Sequence, residues 1–200
     1  MGVFLGKLAI SLTACSDGNQ NSGNTADESK DMLARIQERG TIVIATEGVW
    51  APYTYMDEND VLTGYDVEVA RAIAEKLGVE AEFVTGDLDG FLIGLDNGTY
   101  DAVLNCIDVT EERAAKYNFS DPYINSTVVL ITTADNEEIG SFADLDGKTT
   151  TNTITSSYAA VAEEYGATVL GANTFEETIS LVLQGRADGT VNSLGSYNDY

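Results

Sequence analysis

The chain has no histidine, ten basic residues against 33 acids, two cysteines and two prolines in 200 residues. Each shortage excludes something. Without histidine there is no Ser–His–Asp triad, the commonest general base is missing, and most zinc sites lose a usual ligand. Neither a metal nor a cofactor is therefore expected. A net charge of −23 works against nucleic acid and against an anionic membrane surface, because both need clustered Lys and Arg. The acids are spread along the chain, so they read as a solubility property and not as an acidic tail. Two cysteines, Cys15 and Cys106, allow one disulfide at most. No apolar run approaches the roughly 20 residues of a membrane span.

What remains is ordinary for a globular α/β protein: 44% hydrophobic residues and 19 glycines, enough for one large domain or two small ones. Residues 1–15 read as a partial export signal, with Lys7, a short apolar run and then Leu12-Thr13-Ala14-Cys15. That tetrapeptide resembles a bacterial lipobox, in which the cysteine carries lipid and becomes the new N-terminus. Cys15 would then be unavailable for a disulfide. Residues 16–31 are Ser/Asn/Gly/Asp-rich without core-forming side chains, which suits a flexible tether. The lipid would be the only membrane contact.

From Met32 the pattern becomes periodic. Met32 to Arg39 reads as a short helix stopped by Gly40. Thr41 to Thr46 is nearly continuous apolar sequence, the mark of a strand covered on both faces. It runs into Glu47, Gly48 and Trp50. Ligands in open α/β sheets bind at the carboxyl ends of strands, so Trp50 is either a stacking surface for a ligand or a plug for the sheet end. Residues 57–60 form a hairpin tip, Asp66 to Leu77 an amphipathic helix, Glu80 to Thr85 a strand, Leu88 to Asn97 a helix and Asp101 to Asn105 a strand. This βαβαβ order predicts a parallel sheet with right-handed crossovers.

The stretch from Gly98 to Tyr123 concentrates the chemistry. After the strand, a polar turn at Cys106 to Val109 precedes a short helix capped by Thr110, with Glu111 and Glu112 in its first turn. Arg113 lies just inside. Its five fixed donors suit a carboxylate, although on residue types alone a solvated pairing with Glu111 or Glu112 is an equal reading. A second unit follows Tyr123, with strands at 127–133, 148–152, 167–170 and 188–192. Helices start at Thr155-Ser156-Ser157 and at Thr174, and Ser193 starts a further helix. Two such units leave a cleft between them.

Gly64-Tyr-Asp66, Ala74-Glu-Lys-Leu-Gly78, Leu95-Asp-Asn-Gly98, Tyr100-Asp101, Thr110-Glu-Glu-Arg113 and Phe119-Ser-Asp-Pro-Tyr123 together resemble the signature blocks of bacterial extracellular solute-binding proteins for polar amino acids, family 3, the capture components of ABC importers. The resemblance spans Met32 to Tyr200. It implies an α/β, two-lobe periplasmic-binding-protein-like fold (type II), with lobe one at 32–126, lobe two at 127–200 and a ligand cleft between them. Lobe two would be incomplete, because the family's return segment to lobe one is absent. It implies a monomer outside the cytoplasm whose partners are a free amino acid and an ABC permease.

The resemblance also implies site residues. Arg113 would bind the ligand carboxylate, Trp50 would pack on the ligand, and Asn105, Cys106, Ile107 and Asp108 would contribute from the polar turn. Ser156 and Ser157 would cap the carboxylate from lobe two, in keeping with anion binding at a helix start. Ser193 stands where the family carries an Asp for the ligand ammonium, so Asp108 is expected to take that part unless it merely caps the Thr110 helix. With Glu47 also in the cleft, a cationic amino acid or cystine is favoured over Glu or Asp. Two other classes stay open: a dehydratase-like enzyme using Asp108 or Glu47 as general acid, and the sensing domain of a receptor.

Overall fold

The computed structural model describes residues 2–5 and 31–200. The expected lipid-bearing Cys15 and all of the expected tether at 16–31 except Asp31, which caps α1, lie outside the described residues. The first body holds β1 (Gly2–Leu5), α1 (Met32–Arg39), β2 (Thr41–Thr46), β3 (Val49–Trp50), β4 (Thr54–Met56) and β5 (Leu62–Thr63). It continues through α2 (Tyr65–Leu77), β6 (Glu80–Thr85), α3 (Leu88–Asp96), β7 (Ala102–Ile107), α4 (Glu111–Lys116) and β8 (Asn118–Phe119).

The apolar runs of β2 and β7 become the middle of a five-stranded sheet ordered β6-β2-β7-β1-β8. β2 pairs in parallel with β6 along its whole length and with β7 at Ile44 and Ala45. The sheet is covered on both faces, as continuous apolarity requires. On one face Ile42, Ile44, Ala102 and Leu104 pack against Ile36 of α1 and Ala70 and Ala74 of α2. On the other, Ala45 and Val103 pack against Leu88, Phe91 and Leu95 of α3. The backbone of β1 runs antiparallel between β7 and β8, pairing Gly2 with Ile107 and Leu5 with both Ala102 and Asn118. The segment read from sequence as the start of an export signal thus stands as a strand of this sheet.

Residues 120–127 carry no regular structure and cross to the second body. There β9 (Val128–Ile131) is followed by a 3-10 turn at Phe142–Leu145, β10 (Thr149–Asn152), α5 (Ser157–Glu164) and β11 (Thr168–Gly171), then by α6 (Phe175–Leu183), β12 (Thr190–Ser193) and α7 (Leu194–Asp199). β10 and β11 are parallel, and β12 pairs antiparallel with β9. A single bridge from Thr150 to Gly189 joins the two pairs. Tyr158 and Ala162 of α5 pack on Leu145, Ala167 and Val191, while Phe175 and Ile179 of α6 pack on Ile131. Helix ends obey local chemistry. The hydroxyls of Thr110, Ser156, Thr174 and Ser193 each accept a first-turn N–H. Gly40 and Gly78 close α1 and α2 in the left-handed conformation. No helix among the described residues is long and apolar enough to cross a membrane.

Candidate ligand-binding cleft

The cleft opens where the carboxyl ends of β2 and β7 face the N-termini of α5 and α6. It holds about 680 Å³ of space free of protein atoms, open solvent at its mouth included. Glu47, Trp50, Asn105, Cys106, Ile107, Asp108 and Arg113 line it from the first body, and Ser156 and Ser157 from the second. These nine of the ten residues singled out in the sequence converge on one space.

The tenth, Ser193, does not line it. Ser193 is fully buried as the N-cap of α7; its hydroxyl accepts from Ser196 N and from the Tyr53 hydroxyl at 3.0 Å each. Its neighbour Asn192 lines the cleft instead. On a strand, successive side chains point to opposite faces, so a one-residue offset is enough to exchange the two.

The acids and the arginine occupy distinct surroundings. Burial pushes the Glu47 carboxyl above its ordinary value, against the opposing pull of Asn105. Asn105 Nδ2 donates to Glu47 Oε2 at 2.9 Å, while Asn105 Oδ1 accepts from Glu47 N at 2.9 Å and from Thr46 Oγ1 at 3.3 Å. Arg113 is half-buried. Desolvation lowers its pKa, and the nearby Asp108 and Glu112 pull it back up. Its guanidinium donates to the Asp108 carbonyl at 3.3 Å and, across the cleft, to the Thr155 carbonyl at 3.0 Å. Neither bond is to Glu111 or Glu112, so the surface-pairing reading of Arg113 gives way. Asp108 does not cap α4, because Thr110 Oγ1 accepts from Arg113 N at 3.2 Å. The Asp108 carboxylate instead accepts a hydrogen bond from Ser157 Oγ across the cleft.

Two further bonds cross between the bodies. The indole N–H of Trp50 donates to Ser196 Oγ at 2.7 Å, and the Tyr53 hydroxyl reaches Ser193. Trp50 also meets Tyr158 edge-on at 6.3 Å between ring centres. The two helix starts in the wall differ in charge. The first turn of α5 holds no acid, whereas that of α6 carries Glu176 and Glu177, and Glu177 already accepts from Asn173 N. An anion is therefore favoured at α5 and opposed at α6.

Residues 42–190 match the profile of the bacterial extracellular solute-binding proteins, family 3. The chain belongs to that family. Among relatives of this solute-binding family, the L-cystine-binding protein TcyA of Bacillus subtilis (strain 168) is 37% identical over 193 residues, covering 96% of this chain and 72% of that one. Two solved structures share the two-lobe fold. An ancestral amino acid-binding protein, AncCDT-1, described as a precursor of cyclohexadienyl dehydratase, superposes with a TM-score of 0.77 at 32% identity, over 82% of this chain and 74% of that one. An ancestral arginine-binding protein bound to arginine gives 0.75 at 34% identity, over 81% and 74%. The expected fold, α/β and periplasmic-binding-protein-like, is the fold of this chain.

Of the second body's share of the wall, sequence reasoning found Ser156 and Ser157 but missed Asn152, Tyr158, Asn173, Phe175, Thr178 and Asn192. Tyr158, Asn173 and Phe175 stand at helix starts, and that position was the available signal.

Proposed function

We propose that this protein captures a free amino acid outside the cytoplasm and delivers it to an ABC permease, closing two lobes around the ligand without chemistry. The observation that carries this reading is the pairing of Arg113 and the acid-free start of α5 with Asp108 and Glu47 in one cleft. Arg113 and the α5 amides hold the carboxylate, and Asp108 takes the ammonium by exchanging its Ser157 partner for the ligand. Trp50 packs on the ligand; Asn105, Cys106, Ile107, Ser156 and Ser157 complete the wall around it. Glu47, whose carboxylate is costly while the cleft is empty, reads a second positive group at the far end. An amino acid with a cationic side chain, or cystine, meets that requirement. A ligand in contact with both lobes favours the closed state by its differential affinity. The mature protein is a monomer held to the membrane by lipid on Cys15, and processing there removes β1 from the sheet.

The test is a thermal-shift screen of the twenty amino acids with cystine and ornithine, followed by calorimetry on Arg113→Ala. A hit should raise Tm with concentration as RT ln(1+[L]/Kd), and Arg113→Ala should lose at least about 2 kcal/mol of binding. Unchanged affinity in Arg113→Ala removes the carboxylate assignment. An enzymatic reading is kept by one observation, the likeness to a structure described as a dehydratase precursor. Turnover of a cyclohexadienyl substrate would establish it in place of capture.

A further inference from the structure

Asp66 stands in the first turn of α2 with Glu68. An acid placed there only to meet the helix dipole sits in water, as the exposed Glu68 does. Asp66 is 1% exposed, and its hydrogen bonds leave the helix. Its Oδ1 accepts from the Tyr123 hydroxyl at 2.7 Å and from the Cys106 thiol at 3.3 Å, while Oδ2 has no partner. A buried carboxylate with one bare oxygen is costly, and such a group calls for an explanation beyond local structure.

Its two partners lie in two different parts of the molecule. Cys106 is in the cleft wall and holds a φ of +44°, a conformation that favours glycine. Tyr123 lies on the crossing segment 120–127. The neighbouring Tyr65 grips the same segment: its ring stacks on Tyr123 with centres 6.1 Å apart, and its hydroxyl donates to the Tyr123 carbonyl at 3.0 Å. The backbone of this corner is tied to a third part. Tyr65 N donates to Pro52 O at 3.1 Å and Asp66 N to Tyr53 O at 2.9 Å, in the loop whose Trp50 and Tyr53 bond to the second lobe. The fit is close. A Cβ on Gly64, whose φ is +118°, would stand 2.4 Å from Tyr53 O.

We infer that Asp66 is a positioning residue that links the cleft wall at Cys106 to the interlobe crossing at Tyr123, so that the wall and the hinge change together. A carboxylate whose single oxygen is shared between a wall donor and a hinge donor cannot lose one bond without altering the other. Movement of Tyr123 during closure is thereby transmitted to the turn that presents Asn105 to Asp108. The inference deepens the capture reading and takes its purpose from it, but the link itself exists without ligand.

The experiment is amide hydrogen exchange on the full chain, without ligand, for Tyr123→Phe, Cys106→Ala and each of these combined with Asp66→Leu, which keeps the branched shape and removes the shared acceptor. Tyr123→Phe should speed exchange at Cys106 to Asp108 by roughly three- to tenfold, the size of coupling between groups in one network. Cys106→Ala should do the same at 123–127. Both remote effects should vanish in the Asp66→Leu background. Exchange that changes only beside each substitution, or a remote effect that survives Asp66→Leu, overturns the link. Tyr123→Phe removes one oxygen and leaves the stacked ring, so loss of fold does not obscure the result. A parallel titration with L-arginine and L-cystine separates the two claims: absence of binding with the coupled exchange intact defeats capture alone.

Discussion

Glu47 offers a prediction whose sign can be worked from the structure. Its carboxyl is raised by burial, only partly offset by the bond from Asn105. For the empty fold, a raised pKa means that the group's contribution to stability is fully present below its unfolded value and is lost as pH rises through its folded value. A bound cation reverses this locally: it favours the carboxylate and lowers the pKa. Uptake of a cationic amino acid should therefore release a proton from Glu47, and affinity should rise with pH by up to about tenfold per unit between the bound and free pKa values. A charge-assisted hydrogen bond contributes about 1.5–3 kcal/mol, so Glu47→Gln should weaken arginine binding by roughly 10- to 150-fold on the alkaline side of that window. Glutamine, which brings no second charge, should bind with little pH dependence and little response to the substitution. Calorimetry from pH 5 to 8, in two buffers of different ionisation enthalpy, counts the protons directly. Equal proton release for arginine and glutamine, or a pH slope that survives in Glu47→Gln, would refute the reasoning.

Other consequences follow from single contacts. A Cβ on Gly94 would stand 2.1 and 2.5 Å from ring atoms of Tyr100; Gly94→Ala should cost about 1–3 kcal/mol, and calorimetric Tm should fall by roughly 2–10 °C. Thr110→Ala removes the cap that Arg113 N uses and should destabilise by about 1 kcal/mol in urea titration; no loss would mean that α4 is held by packing alone. Burial and the adjacent Asp66 push the Cys106 thiol up, so peptide mapping should find it unmodified by iodoacetamide in the native chain and alkylated after denaturation.

Local signals carried most of the secondary structure. α1, β2 and β6 have the limits that Gly40, the apolar run at 41–46 and the alternation at 80–85 suggest. β7 runs two residues further than its sequence indicates, because Cys106 and Ile107 are buried against the sheet despite the polar residues that follow. The site was half legible. Arg113 and Trp50 stand beside recognisable turns, but that Asp108 meets Ser157, 49 residues away, is a product of how the lobes face each other. No periodicity encodes that. Asp66 was readable as a helix residue, yet its burial depends on Cys106 and Tyr123, 40 and 57 residues distant. Ser193 is buried as the cap of α7 while Asn192 faces the cleft, because alternation along β12 makes neighbours face opposite ways.

Trp50 is the single tryptophan of the chain, and its indole N–H is bonded across the lobes to Ser196. All indole emission therefore originates from a ring bonded across the two lobes. Separation of the lobes should shift that emission to longer wavelength, and closure should shift it back. The protein thus carries an optical gauge of its own state that needs no added label, and the populations of open and closed molecules can be followed in real time at micromolar concentration.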